Sequence, residues 1–412
     1  MYDLVIVGGG AAGFYALASL RQQMPTARVL LLERGGEFLT KVKVSGGGRC
    51  NVTHSEFDAR ELTTHYPRGQ KELLGPFYHY GPADTLAFFE DFGVELKTEE
   101  DGRIFPVSDR SQTIIDCLMK AAQGPQTEWR TKSPVQSLAY KKDSGLWSVV
   151  LKEATIETRM VLVATGSNPK MWKLLESLGH RIVSPVPSLF TFRTQHPLIK
   201  DLQGISLNVE LKIEAHHPDF SGPMASSGPL LITHRGLSGP AILRLSAWGA
   251  RGLNDLDYTF ELQVNWLPQY NRETLEAYLQ QMRKEQAKKK IANTVFAELP
   301  KRLWFRFVEE LGLQHTRWAD CKRSQMDELI DSFLATRFKV TGKDTFKEEF
   351  VTAGGVDLRD VDFKGFESKK CPGLFFAGEV LNVDAITGGF NFQNAWTGAH
   401  LAAQKIAERL AD

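Results

Sequence analysis

The sequence predicts an α/β fold: a split Rossmann-type nucleotide-binding domain, interrupted by an inserted β-domain and a helical segment. Three observations predict it. Near the start, the apolar run Leu4–Val7 leads without a spacer into Gly8, Gly10 and Gly13, the spacing of a dinucleotide-binding turn. Near the end, a second apolar run from Leu374 to Ala377 leads into another glycine-rich loop and a final helix. Between them the hydrophobic period changes, first to two and then to a helical spacing.

The first unit reads strand, turn, helix, strand, acid. Gly8 permits the tight turn, Gly10 lets a pyrophosphate approach the backbone, and Gly13 lets helix and strand pack closely. Residues Ala11 to Arg21, with Ala12 in the first turn, form a helix whose N-terminal N–H groups and dipole favour an anion. The strand Val29–Leu32 ends in Glu33, about 20 residues past the last glycine, where a carboxylate accepts hydrogen bonds from a ribose. Arg34 and Lys41 follow as further cofactor contacts. The stretch Ser45–Asn51, with three glycines ending in Gly48 and then Arg49, Cys50 and Asn51, reads as a loop pressed against something flat or charged, followed by a helix start.

Residues Ala83–Phe92 and Ser111–Ala122 have helical spacing, with a short strand and turn over Gly102–Arg110 and Asp109 or Ser111 near the second N-cap. From Val135, itself a candidate cofactor contact, the period becomes two and leads to a buried strand, Met160–Ala164. It ends in Ala164, Thr165 and Gly166, small residues that let the backbone pass close to a cofactor. Pro185–Pro187 marks a boundary, beyond which Phe190–Arg193, Ile205–Ile213 and Tyr258–Val264 alternate as strands of a small β-domain. Within it, Ser238 as N-cap and Pro240 in the first turn start a helix, with His234 and Arg235 in the turn ahead.

Asn271–Leu334 reads as helical. Its stretch Arg283–Arg306 holds eight Lys/Arg against two Glu, with Trp304, Phe305 and Phe307 interleaved near the end. Cations beside aromatics are what a phosphate backbone with stackable bases uses, so Lys288, Lys289, Lys290, Lys301, Arg302 and Arg235 are the candidate RNA contacts. Strands return around Phe338 and Phe350.

In the closing segment, Glu379 behind Gly378 is placed to bind ribityl hydroxyls. The helix starting near Phe390 aims its N-terminus at the pyrimidine edge of a flavin, where its dipole stabilises negative charge. Asp384, Gly389, Phe390, Asn391, Phe392 and Gln393 complete this second cradle. A cradle at each end selects FAD over NAD, in the manner of the two-dinucleotide flavoproteins. The expected divisions are 1–188 and 351–412 for the FAD domain, 189–268 and 336–350 for the β-domain, and 269–335 for the basic helical subdomain.

The 412 residues carry a formal net charge of only +1, which excludes a globally basic surface but not a local one. No apolar run is long enough for a membrane span, and the N-terminus enters a core strand without a basic leader. Cys50, Cys117, Cys321 and Cys371 form no C-x-x-C pair, so neither a metal nor a disulfide framework is expected, and a cytoplasmic location is.

Gly8–Gly13, Ser45–Asn51, Phe105–Arg110, Thr233–Pro240, Thr352–Val356 and the span from Gly378 to Asn394 together resemble the BaiN/RdsA family of FAD-dependent flavoproteins. Asn382, Ala385 and Phe390 depart from the family, which usually has Asp, Gly and Tyr there. The resemblance implies a split FAD domain carrying an inserted β-barrel and a helical subdomain. It also implies hydride addition to a carbon–carbon double bond conjugated to a carbonyl, either a uridine of large-subunit (23S) ribosomal RNA or a steroid enone. The expected enzyme is an FAD-dependent reductase using NADH or NADPH, which binds transiently because no second G-x-G-x-x-G appears. Cys50 is the expected proton donor, Arg49 the counter-charge and Asn51 the loop anchor. The basic segment favours RNA over a steroid, which needs a closed apolar pocket. Two other classes fit the same residues: a flavin-bearing RNA-binding or ribosome-assembly module, and a flavin monooxygenase.

Overall fold

The computed structural model describes residues 1–220, 224–294, 296, 298–344 and 351–411, so the strand expected around Phe350 lies outside the described residues. The chain divides into two units, Met1–Val186 with Lys347–Asp412, and Pro187–Phe346.

The first unit is organised by a mainly parallel sheet. Tyr2–Val7 lies between Val29–Leu32 and Thr155–Val163, with Leu4 opposite Val29 on one side and Met160 on the other. Such a strand is covered on both faces, which is why Leu4, Val5 and Ile6 are all apolar and all fully buried. Thr127–Arg130 extends the sheet beyond Val29–Leu32, and the hairpin Ser137–Lys141/Leu146–Val150 pairs antiparallel with Thr155–Val163. On the other side Leu374–Phe376, from the far end of the chain, pairs parallel with Val161–Val163. Both glycine-rich loops therefore leave the same edge of one sheet. The helix Ala11–Gln23 packs along the closing helix Phe390–Ala411, whose small residues Ala395, Ala399 and Ala402 are buried.

The second unit is an antiparallel sheet with helices. Its strand order is Thr336–Thr341, Thr259–Asn265, Ser206–Ile213, Ala225–Ile232, Gly236–Ser238, Thr191–Arg193, Lys343–Asp344. The first and last members are one stretch of chain interrupted at Gly342, so the sheet closes on itself. Inward residues alternate along each strand, as with Val209, Leu211 and Ile213. The helices Arg272–Glu285, Lys301–Glu310 and Arg323–Leu334 share that core through Trp266, Trp304, Phe307 and Phe333.

Two local expectations are corrected here. The loop ending at Asn51 runs into a short strand, Thr53–His54, and the next helix starts only at Ala59, because Asp58 supplies the cap by accepting from the Arg60 and Glu61 N–H groups. The helix Pro240–Trp248 is capped by Gly239 at φ +92°, not by Ser238, which belongs to a strand and accepts a hydrogen bond from Thr191.

Candidate active site

The N-terminal cradle is built by exclusion. A Cβ on Gly13 would lie 2.0 Å from the Gly8 carbonyl oxygen, so only glycine lets the helix start this close to the strand. A Cβ on Gly10 would meet nothing within 4 Å. Gly10 caps the Ala11–Gln23 helix without a side chain, leaving the first-turn N–H groups aimed into that open space. Glu33 stands beside it, accepting from the Gly9 N–H at 2.9 Å through Oε2 and from the Gly35 N–H at 2.7 Å through Oε1. Arg34 is exposed, Ala12 and Ala164 are buried, and Thr165 and Gly166 are half-buried at the end of the neighbouring strand. The segment before Val135 runs along the same rim, with the Ser133 N–H donating to the Glu33 carbonyl and the Lys132 N–H to the Gly35 carbonyl, each at 2.8 Å.

The C-terminal cradle closes onto the first. Lys41 Nζ and Glu379 Oε2, 338 residues apart, form an ion pair at 2.7 Å just past Gly378. The Asn51 amide accepts from the Gly389 N–H at 2.9 Å and donates to the carbonyls of Thr53 (2.9 Å) and Ile104 (3.2 Å), tying the Ser45–Asn51 loop to the start of the closing helix. The Phe390 ring packs against both His54 (4.7 Å) and His65 (4.2 Å), whose own rings are 6.0 Å apart, and Phe392 lies on Trp396. Burial lowers the pKa of His54. These two histidines were not found by sequence reasoning; only the phenylalanine at 390 hinted at a ring stack there.

Three residues expected to touch the cofactor have side-chain partners within the protein. Asp384 is fully buried and ion-paired with Arg68, whose Nε donates to Oδ1 at 2.6 Å. Gln393 is fully buried and bonds Thr53, Thr85 and Thr397. Asn391 clamps both the N–H and the carbonyl of Ala385. In each case the side chain shapes the loop, and what the first helical turn offers outward is backbone N–H.

The glycine loop between the cradles is strained on purpose. The helix Thr40–Gly48 breaks at Ser45, and Gly46 and Gly47 take left-handed conformations at φ 56° and 68°. Arg49 follows, one-third exposed, with its guanidinium 3.9 Å above the Phe105 ring and Nη1 donating to Glu99 at 2.6 Å. Asp109 is also within 3.5 Å, so the positive charge of Arg49 is already balanced. Cys50 has no exposed surface, and burial pushes its thiol up to about 12. The residue expected as proton donor thus has its thiol buried, on a left-handed backbone (φ 62°).

In the second unit, Lys288, Lys289 and Lys290 are exposed in the turn after the Arg272–Glu285 helix. Lys301 and Arg302 are exposed on the first turn of the Lys301–Glu310 helix. Arg235 is exposed and ion-paired with Asp344 at 2.9 Å. The interleaved aromatics divide: Trp304 and Phe307 are buried, and only Phe305 faces out. Positions 303, 304, 307 and 308 form one helical face and supply the core, which leaves 305 on the opposite side. Although no metal is expected, the ligand atoms of His217, Asp219 and Asp255 lie within 4.8 Å of one another on the surface, where His217 Nδ1 already accepts from the Asp219 N–H.

Open space at Gly10, a helix N-terminus at each cradle and an acid at each end fit a dinucleotide cofactor. Among the described residues no helix is long and apolar enough to cross a membrane. Over 98% of its length the chain is 30% identical to a ribosomal RNA dihydrouridine synthase of Escherichia coli, of which 98% is covered. It is 27% identical to a 3-dehydro-bile acid delta(4,6)-reductase of Clostridium scindens, covering 99% of this chain and 100% of that one. Among solved structures, a 3-ketosteroid-delta4-(5alpha)-dehydrogenase from Rhodococcus jostii shares the fold, with a TM-score of 0.52 at 14% identity over 98% of this chain and 96% of that one. The family model described as HI0933-like protein Rossmann domain matches residues 2–405, and the chain belongs to that family.

Proposed function

We propose that this protein is an FAD-dependent reductase that reduces uridine to dihydrouridine in large-subunit ribosomal RNA, with NADH or NADPH as the electron donor. The observation that carries the redox part is the joining of the two cradles through Asn51 and Gly389 and through Lys41 and Glu379. FAD, when bound, would supply two-electron hydride chemistry. The chain's own residues hold it. The helix N-terminus at Ala11 would hold the pyrophosphate, Glu33 and Glu379 would accept from sugar and ribityl hydroxyls, and the N–H groups of Asn391 and Phe392 would receive the pyrimidine edge of the ring.

In the net reaction the C5=C6 bond of uracil gains hydride at C6 and a proton at C5, and NAD(P)H becomes NAD(P)+. RNA is favoured as substrate by the exposed lysines of the second unit and by the full-length likeness to the Escherichia coli protein. The likeness to the Clostridium scindens reductase favours a second reading, a small steroid enone undergoing the same hydride addition. Dihydrouridine mapping in ribosomal RNA from cells with and without this gene separates them. Loss of one dihydrouridine in the deletion strain supports the first. Unchanged RNA, with NAD(P)H consumed when a steroid enone is added to the purified protein, supports the second.

A further inference from the structure

We infer that the groove beside Phe305 binds a single-stranded RNA segment, stacking one base on the ring and holding the adjoining phosphates with the surrounding cations. The inference rests on the RNA reading above and places its contact on one helix face. Phe305 is 43% exposed, while its helix neighbours Leu303, Trp304, Phe307 and Val308 are buried; the core does not need this ring. It borders a groove of about 510 Å³ with Leu202, Ala292, Lys301, Arg302 and Arg306. Asp201 and Glu309 also line the groove, and both are engaged with arginine. Arg306 donates to Glu309 Oε2 (2.7 Å), the Lys200 carbonyl (3.0 Å) and Asp201 Oδ2 (3.4 Å), and Arg302 donates to the Asp201 carbonyl.

Those bonds fix two guanidinium planes at the groove, so little side-chain freedom is lost when a ligand binds. Ala292, in the groove wall, lies two residues from the exposed turn Lys288–Lys290. Among the described residues the side chains of Lys288, Lys289, Lys290 and Lys301 form no ion pair, leaving them available to phosphates. An acidic peptide would use the cations but would have no need of a bare aromatic face. A nucleotide uses both.

The test measures fluorescence anisotropy of a short uridine-rich single-stranded RNA with the full-length, flavin-loaded chain over a salt series. Phe305→Ala is expected to weaken binding by about 5- to 150-fold with the salt dependence unchanged, because a stacked ring is lost and no charge is. Phe305→Trp should retain the affinity, and Lys301→Gln should reduce the salt slope by about 0.7. Circular dichroism melting checks that the variants fold. Equal affinity of wild type and Phe305→Ala overturns the groove while leaving the RNA reading intact. A wild type that fails to bind this RNA, whether or not it binds polyglutamate, overturns both.

Discussion

The two cradles and the basic face of the helical segment are both charged surfaces beside open space, yet they are built in opposite ways. In the cradles nearly every polar side chain has a protein partner: Glu33 holds two N–H groups, Lys41 holds Glu379, and Asp384 is buried with Arg68. What they would offer a ligand is backbone N–H donors fixed by the fold, together with the remaining lone pairs of the already held Glu33 and Glu379 carboxylates. On the basic face Lys288–Lys290 and Lys301 are exposed, and the organised groups are arginines, two of them beside Phe305. On the RNA reading proposed above, the difference teaches that a site for one small cofactor is organised before binding, whereas a surface for a polyanion keeps extended charges that adapt to phosphate spacing.

If that contrast holds, damage to the cradles should act through the fold and damage to the basic face should not. The largest effect is expected for Gly13→Val, whose Cβ alone would overlap the Gly8 carbonyl oxygen at 2.0 Å. A loss of about 5 kcal/mol or more should leave no folded, yellow protein, as read by melting and visible absorbance. Arg68→Ala comes next, because it removes the cationic partner of a carboxylate with no exposed surface. It should cost about 3–5 kcal/mol in denaturant unfolding, and a loss below about 1 would break the contrast.

Replacing Lys288, Lys289 and Lys290 together by Gln should leave the melting temperature unchanged and lower the salt slope of RNA binding by about 2, at roughly 0.7 per phosphate contact on a single strand. A melting shift comparable to that of Arg68→Ala would show that these lysines are structural. The smallest effect concerns Cys50, whose thiol burial raises to about 12 in the folded chain. Below about pH 8.5 both folded and unfolded states keep the proton; as pH rises toward about 12 only the unfolded state ionises, so stability falls across that window. Cys50→Ala should flatten this part of the alkaline profile while keeping reductase activity. Rapid labelling of Cys50 in the native chain, with loss of activity, would return the thiol to the reacting surface.

Legibility in the sequence followed the range of the interactions. The strand–glycine–helix unit at Leu4–Gln23, the alternating strands and the closing helix near Phe390 depend on neighbours within a few residues, and their positions were readable. The direction of side chains in irregular loops was not. The sequence places Cys50 directly after three glycines, but only the left-handed turn at Cys50 shows that the thiol points inward. Asp384, Asn391 and Gln393 were assigned to the right loop and helix start, but their partners are Arg68, Ala385 and three threonines that no local pattern identifies. The histidines packed against Phe390 were missed because they come from a segment more than 300 positions away in sequence.

By itself the sequence determined the nucleotide-binding unit, because a tight turn and close helix packing can be met only by glycine at fixed spacing, and that requirement is local. Tertiary structure alone decided which charges are paired, which thiol is buried and which of three neighbouring aromatics faces water. Those outcomes depend on which face of each element the core covers, and coverage is set by segments far apart in the chain.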